Sequence, residues 1–445
     1  MQLLKMFKHY VITVSIILAG CFSAIAQKDK PADGEVFIDV KPGNKQAVFT
    51  SRDMVTYQLK VKSTYDENQD GKLSYDILTD DYKKIGNTNT IMVHLNKNVS
   101  DSYSITIPPK PAGFYRLHMR LNLTSYDDTI KKVFGVDPLK IKSKLTKPAD
   151  FEAFWNKTKT ELAGVAPQYK VTERKDLSTK SKKVYLVEMH SYNNLVIRGW
   201  LVVPTYGKKF PVHYRLPGYV VELKPNMDND DFIAFDINVR GNGNSRDVVS
   251  VSTDTYCLLN LEDRDKYIYR GVYMDCIRGL DFLTSHSNLG IDTSKIYIEG
   301  GSQGGALGVV TAALDKRIKA LTVQVPLYAD IRDAEHISSL YDDQVFPFKM
   351  FRSYKAKNPG YTWDKFFSVW DYYDPQNFAP MIKCPVLMGV GLLDKFCPPR
   401  CSFAMFNHLG TQSKEFICVP NSTHEVDFNY FMFQNLWLRE KLRIP

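Results

Sequence analysis

Residues Lys295 to Gly308 read K-I-Y-I-E-G-G-S-Q-G-G-A-L-G. Ile296 to Ile298 form a short β-branched and aromatic run, Gly300-Gly301-Ser302-Gln303-Gly304 fits G-x-S-x-G, and Ala306 to Ala313 are small, apolar and compatible with a helix. The pattern predicts strand, tight turn and helix. A serine at the apex of such a turn sits in strained backbone that only neighbouring glycines leave room for, so its hydroxyl projects above the end of a parallel sheet. The helix behind it points free N–H groups and its positive dipole end at the place where negative charge would develop. A glycine-rich turn with a chance serine is the plainer reading. The strand before, the helix after and the further glycine at 305 favour a nucleophile at Ser302.

A serine hydroxyl of ordinary pKa needs a base, and the base needs a residue that orients it. Cys384 to Gly391 is a buried-strand run followed at once by Leu392-Leu393-Asp394, which puts Asp394 just past a strand's C-terminal end. Phe416 to Pro420 is a second such run, followed by Asn421-Ser422-Thr423-His424-Glu425. Alone, an Asp after a strand is usually a helix cap and a His in a loop is usually solvated. Catalytic groups in open α/β sheets collect at the carboxyl ends of strands, where Ser302, Asp394 and His424 all fall, in the chain order serine, acid, histidine.

These residues resemble the acetyl xylan esterase and cephalosporin C deacetylase group, carbohydrate esterase family 7, within the α/β-hydrolases. The resemblance rests on Asn238 to Ser245, the Gly-Gly-Ser-Gln-Gly-Gly turn, Ile382 to Leu387, Gly391 to Asp394 with Cys397-Pro398-Pro399, and His424-Glu425, and it runs from about Pro148 to the end. It implies a mainly parallel central sheet with a helical cap insertion at about 328–380, and Ser302, Asp394 and His424 as nucleophile, acid and base. It implies backbone N–H groups of Gln303 and Tyr219 as an oxyanion hole, although the family's glycine-rich continuation after that tyrosine is replaced by Val220 to Lys224. The family's R-G-Q signature is Arg240-Gly241-Asn242 here, with an amide one methylene shorter where the family uses Gln to hold loops around the site. Without G-x-G-x-x-G spacing or a dinucleotide unit, this stretch reads as a structural loop and not a phosphate cradle.

The rest of the 445 residues divides by pattern. Residues 1–26 read as an export signal: Lys5 and Lys8 precede an apolar run from Tyr10 to Ala19, and Ala24-Ile25-Ala26 fits a cleavage site. Leu18-Ala19-Gly20-Cys21 also fits a lipobox, so the expected location is periplasmic or secreted, or an outer-membrane lipoprotein anchored at Cys21. Residues 33–137 alternate in short strands from Glu35 to Phe134, separated by turn clusters, and predict an immunoglobulin-like or fibronectin-like sandwich. Asp66 to Gly71 opens like a calcium loop, but its twelfth position is Ile77 where a bidentate Glu is needed, so a polar hairpin turn is expected. Residues 138–445 form the expected catalytic domain. In the cap, Trp363, Phe366, Phe367, Trp370, Tyr372 and Tyr373 read as packing before sugar stacking, and His336 as a polar cap residue.

Formal charge is +9, or +7 without the leader's Lys5 and Lys8, and no basic stripe is interleaved with aromatics, which argues against nucleic acid. The cysteines outside the leader lack disulfide-framework spacing, and Cys397-x₃-Cys401 lacks the two further ligands of a metal site. The expected activity is a serine carboxylesterase that removes acetyl groups from acetylated xylan, xylo-oligosaccharides or similar small acetyl esters, with no metal or cofactor. The family often forms hexamers, so a homo-oligomer is expected, subject to the leading sandwich. Two alternatives stay open: a serine peptidase of the prolyl-oligopeptidase type, and an inactive glycan-binding or scaffold protein.

Overall fold

The computed structural model describes residues 34–228, 230–249, 251–340 and 345–444. The expected export signal and the expected anchor at Cys21 fall outside the described residues. The N-terminal region is two antiparallel sheets face to face. One contains β1 (Val36–Pro42), β3 (Val55–Ser63) and β6 (Ser100–Ile107) in the order β1-β3-β6. The other runs β2-β8-β7-β4-β5, with β2 (Val48–Phe49), β4 (Gln69–Thr79), β5 (Lys84–Leu95), β7 (Gly113–Leu123) and β8 (Asp127–Val136), and β2 joins β8 in parallel. Period-2 alternation drives this. Val55, Tyr57, Leu59 and Val61 all point inward, and Tyr57 meets Phe134 of the facing sheet at a ring separation of 6.4 Å.

One expectation fails here. The Asp66–Gly71 stretch is no hairpin: Asp70 and Gly71 already belong to β4, and the preceding turn carries the chain from one sheet to the other. Two of its three acids are held in ion pairs, Asp66 with Lys97 (2.9 Å) and Asp70 with His94 (2.5 Å).

The remainder is a nine-stranded sheet with helices on its faces, an α/β-hydrolase fold. Its order is β17-β16-β15-β14-β12-β13-β11-β10-β9. The strands are β9 (Lys170–Glu173), β10 (Lys182–His190), β11 (Val196–Pro204), β12 (Phe210–Arg215), β13 (Ile233–Asn238), β14 (Ile291–Gly301), β15 (Ala320–Gln324), β16 (Val386–Gly391) and β17 (Lys414–Val419). From β12 to β17 every pairing is parallel, and β9 to β11 add an antiparallel edge. The central strands are covered by helices on both faces and are mostly apolar: β13, β15 and β16 are buried at every residue, with Asp236, Asn238, Thr322 and Gln324 the polar exceptions.

The helices are α1 (Phe151–Ala163), α2 (Ile268–Ser285), α3 (Gln303–Leu314), α4 (Ile331–Ser339), α5 (Phe348–Lys357), α6 (Trp363–Trp370), α7 (Pro375–Phe378), α8 (Pro399–Asn407) and α9 (Phe428–Leu442). None of the helices among the described residues is long and apolar enough to cross a membrane. The expected aromatic packing of the cap is found. Trp370 and Tyr373 are fully buried against Tyr267 of the α2 entry, and the Trp155 indole N–H of α1 donates to the Tyr372 carbonyl (3.0 Å). Each such side chain contributes roughly 2–3 kcal/mol by leaving water.

The sandwich docks on the β17 edge of the large sheet. Phe114 of β7 packs on Phe403 of α8 (5.5 Å), Arg400 bridges Asp80 and Asp333, and the Gln46 side chain accepts the Cys418 N–H (2.9 Å). The last contact satisfies a donor on an otherwise open strand edge.

Candidate active site

Three loops at the carboxyl ends of the parallel strands converge. β14 ends at Gly301 and α3 begins at Gln303, so Ser302 is the single residue between them, at φ 55° and ψ −123°. A non-glycine residue in this region costs about 1–3 kcal/mol and persists only where its surroundings hold it. Three hydrogen bonds do so: Ser302 N–H to the Gln324 carbonyl (2.9 Å), and Leu327 and Ala306 N–H to the Ser302 carbonyl (3.0 and 3.2 Å). The glycines are forced by contact. A Cβ on Gly300 would lie 2.2 Å from the Gly304 carbonyl oxygen, and one on Gly304 would lie 2.3 Å from that of Leu216.

Asp394 follows β16 and His424 follows β17, and they meet: His424 Nδ1 lies 2.8 Å from Asp394 Oδ2. The other carboxylate oxygen accepts the N–H groups of Phe396 (2.8 Å) and Cys397 (2.9 Å). Asp394 is 2 % exposed, and this burial pushes its carboxyl pKa upward against the lowering effect of His424 and the two amides. With Nδ1–H given to the carboxylate, Nε2 carries the lone pair and is the nitrogen free to take a proton. The Phe396 ring stands edge-on to the imidazole at 5.0 Å. Among the described residues Ser302 Oγ and His424 share no hydrogen bond; such contacts often tighten only around substrate.

The chain after β12 faces the first turn of α3. The Gly218 carbonyl accepts hydrogen bonds from the side-chain amides of Asn242 (3.2 Å) and Gln303 (3.3 Å). Gly218 C=O and Tyr219 N–H belong to one planar trans peptide, so clamping the oxygen on one side directs the N–H to the opposite side. The Gln303 amide is fixed in turn, since Tyr269 O–H donates to Gln303 Oε1 (2.6 Å). The Gln303 N–H is in the first turn of α3, where backbone donors have no partner within the helix. The Tyr219 ring is anchored by its hydroxyl, which donates to the Thr253 carbonyl (2.8 Å) and accepts the Cys257 N–H (3.1 Å).

The loop after β13 is held by buried polar contacts. Arg240 is buried and grips Asp275 through Nε (2.8 Å) and Nη2 (2.8 Å), with Ser191 Oγ donating to the same carboxylate (2.6 Å). Gly241 has φ 80°, and a Cβ there would lie 2.5 Å from the Tyr256 ring. Asn242 is fully buried. The structure therefore gathers Ser302, Asp394, His424, Gln303, Tyr219 and Asn242 at one end of the sheet. Sequence reasoning missed the Gly218 carbonyl, Tyr269, Asp275 and the amides of Phe396 and Cys397. Only the last pair left a local signal, because an Asp that accepts N–H groups two and three residues onward is an ordinary turn pattern. One donor atom each from Asp394, Cys397 and His424 lie within 4.8 Å of one another, the sole group among the described residues with metal-ligand spacing.

The chain is similar to known proteins over most of its length. Residues 136–440 match the family described as acetyl xylan esterase (AXE1). The chain is 30% identical over 349 residues to the acetyl esterase Axe7A of Xylanibacter ruminicola, a match covering 75% of this chain and 76% of that one. Among solved structures, an acetyl xylan esterase from Paenibacillus sp. R4 superposes with a TM-score of 0.61 at 27% identity, covering 68% of this chain and 98% of that one. Acetyl xylan esterase 1 from Thermoanaerobacterium sp. JW/SL YS485 shares the fold, with a TM-score of 0.61 at 22% identity over 69% of this chain and 97% of its own.

Proposed function

This chain belongs to the acetyl xylan esterase family and is a carboxylic ester hydrolase, and from that premise we propose that it removes acetyl groups from acetylated xylan or xylo-oligosaccharides, or similar small acetyl esters, by a serine mechanism. The observation that carries this reading is the 2.8 Å Asp394–His424 hydrogen bond beside a strained Ser302 at a helix N-terminus. Ser302 Oγ attacks the acetyl carbonyl while His424 Nε2 takes its proton. Asp394 holds the imidazole tautomer and stabilises the imidazolium. The carbonyl oxygen becomes an oxyanion held by the N–H groups of Gln303 and Tyr219, a contribution of roughly 3–4 kcal/mol per donor in comparable sites. His424 returns the proton to the leaving sugar hydroxyl, and the acetyl stays on Ser302. Water, deprotonated by His424, then attacks the acyl-enzyme and frees acetate. None of these steps calls on a metal or cofactor.

The chain is exported in this reading, either released after removal of residues 1–26 or cleaved before Cys21 and lipidated there. A sandwich at 33–137 precedes the catalytic domain at 138–445. The test is acetate release from acetylated xylo-oligosaccharides by the mature protein, with Ser302→Ala alongside. Release by wild type alone supports the proposal; a folded wild type that is silent on these substrates and on para-nitrophenyl acetate overturns it. Intact mass of the exported protein separates cleavage after Ala26 from lipidation at Cys21.

A further inference from the structure

Asp394, Cys397 and His424 bring a carboxylate oxygen, a thiol sulfur and an imidazole nitrogen within 4.8 Å of one another. Ester cleavage uses the oxygen and the nitrogen. The sulfur has no part in it: the Cys397 backbone N–H holds Asp394, while its side chain is buried beside the pair.

Oxygen, nitrogen and sulfur are the three donor types of tetrahedral Zn²⁺, with bonds of about 2.0–2.3 Å and so donor separations of roughly 3.3–3.7 Å. Asp394 Oδ1 accepts the amides of Phe396 and Cys397, and Oδ2 accepts from the imidazole. Oδ2 can therefore exchange the imidazole proton for an ion while both amides go on fixing the carboxylate. The 2.8 Å contact between Oδ2 and Nδ1 has to open by roughly half an ångström to straddle that ion. An entry path exists on the imidazole side, because the His424 side chain is 25 % exposed.

Resting on the serine reading above, we propose that Asp394, Cys397 and His424 form an inhibitory site for a thiophilic divalent cation, zinc above all. On binding, Nδ1 gives its lone pair to the ion and the ring proton moves from Nδ1 to Nε2. Burial keeps the Cys397 thiol protonated in the free enzyme; the ion displaces that proton to solvent and the thiolate becomes a ligand. One proton leaves per ion, and nothing is oxidised or reduced. Water takes the fourth position of the tetrahedron. Nε2 now carries a hydrogen in place of the lone pair that receives the Ser302 proton, so the nucleophile has no base. Mg²⁺ and Ca²⁺ select oxygen donors and find a single carboxylate here.

The experiment treats the mature protein with EDTA, removes the chelator, and follows para-nitrophenyl acetate hydrolysis while Zn²⁺ or Mg²⁺ is added. Wild type should lose activity by about tenfold or more at saturating Zn²⁺, regain it with EDTA, and ignore Mg²⁺. In Cys397→Ala, and in Cys397→Ser, which keeps the volume, half-inhibition should need about tenfold more Zn²⁺ or above, for want of one ligand in three. Each protein is compared with itself before the metal, so a change in basal rate cancels. Cys401→Ala removes the next buried thiol, outside the triple, and should titrate like wild type. Cd²⁺ gives a readout without turnover: an ultraviolet sulfur-to-metal band at one ion per chain in wild type and Cys401→Ala, absent from both Cys397 variants. Circular dichroism checks that each variant is folded. An active wild type that Zn²⁺ does not inhibit, inhibition equal in the Cys397 variants, or a band that survives in them overturns the proposal and leaves the esterase reading standing. A band present in wild type and lost in the Cys397 variants, in a protein that hydrolyses no ester, supports the metal site and sinks the esterase reading alone.

Discussion

The carbonyl oxygen of Gly218 is held by the Asn242 side-chain amide at 3.2 Å, and through the shared peptide plane this contact aims the N–H of Tyr219. Asn242 comes from the loop after β13 and Gly218 from the loop after β12, which are neighbouring parallel strands. Gln303, the residue after the nucleophile, completes the clamp at 3.3 Å. One carbonyl therefore ties both proposed oxyanion donors into a single rigid unit, even with a glycine-poor continuation after Tyr219.

Removing the clamp should slow chemistry more than binding. Asn242→Ala leaves the Gly218 oxygen with Gln303 alone, so kcat on a small acetyl ester should fall about tenfold with KM within about twofold, a fraction of the loss from deleting an oxyanion donor outright. Steady-state kinetics on para-nitrophenyl acetate reads this directly. A rise in KM at constant kcat would place Asn242 in substrate binding.

Asp394→Asn keeps the shape of the acid and removes its charge. An Asn side chain can donate to Nδ1, which traps the imidazole with its proton on Nε2, where no base remains. A loss of roughly 10⁴-fold in kcat is expected, with the fold intact by circular dichroism.

At Gly304 a methyl group has nowhere to go, because it would sit 2.3 Å from the Leu216 backbone oxygen. Gly304→Ala should lower stability by about 2 kcal/mol in chemical denaturation and depress kcat, since relief requires α3 and the Tyr219 loop to separate. Gly360→Ala, where a Cβ meets nothing within 4 Å, is the neutral control.

The buried acids Asp330 and Asp374 predict a pH dependence of stability. Asp374 accepts the N–H groups of Asp330 (3.2 Å), Ile331 (2.8 Å) and Gln376 (2.8 Å). Burial, with Asp330 adding, pushes Asp374 up to about 8; burial, with Asp333 adding, pushes Asp330 up to about 6. Both pKa values are raised above those of the unfolded chain, so the folded state holds protons more tightly. Their stabilising contribution is complete below about pH 4 and is lost as pH rises through the folded values. Asp330 has φ 50°, a conformation Asn tolerates. Asp330→Asn should match wild type near pH 4 and exceed it by on the order of 1–2 kcal/mol above about pH 8, measured by urea denaturation at each pH.

The elbow was legible because its requirements are local: glycines at 300, 301, 304 and 305 around one serine, between a β-branched run and a small-residue helix. Asp394 and His424 were legible from position, since the apolar runs before them read as strands; β16 is buried throughout, and β17, at the sheet edge, at Cys418 and Val419. The two-residue β2 and four-residue β9 were not, as neither is long enough to display a period. Helix α9 escaped because its apolar residues do not form one inward stripe; Phe428, Phe431, Met432 and Leu436 face out. The turn at Asp66 was misjudged because a polar turn looks the same whether the next strand pairs with the last or crosses to the opposite sheet. The Gly218 clamp joins residues 24 and 85 positions apart in the chain through a backbone oxygen, which no side-chain pattern records.

Ser302 as an acyl-carrying nucleophile is tested most directly by trapping the intermediate. Wild type mixed with para-nitrophenyl acetate is quenched in acid within the first turnover, digested, and the peptides weighed. A burst of nitrophenol close to one per active site, with a single acetyl group on the peptide containing Ser302 and none in Ser302→Ala, is the expected result. Full hydrolysis by Ser302→Ala, or the acetyl group on another residue, would contradict it.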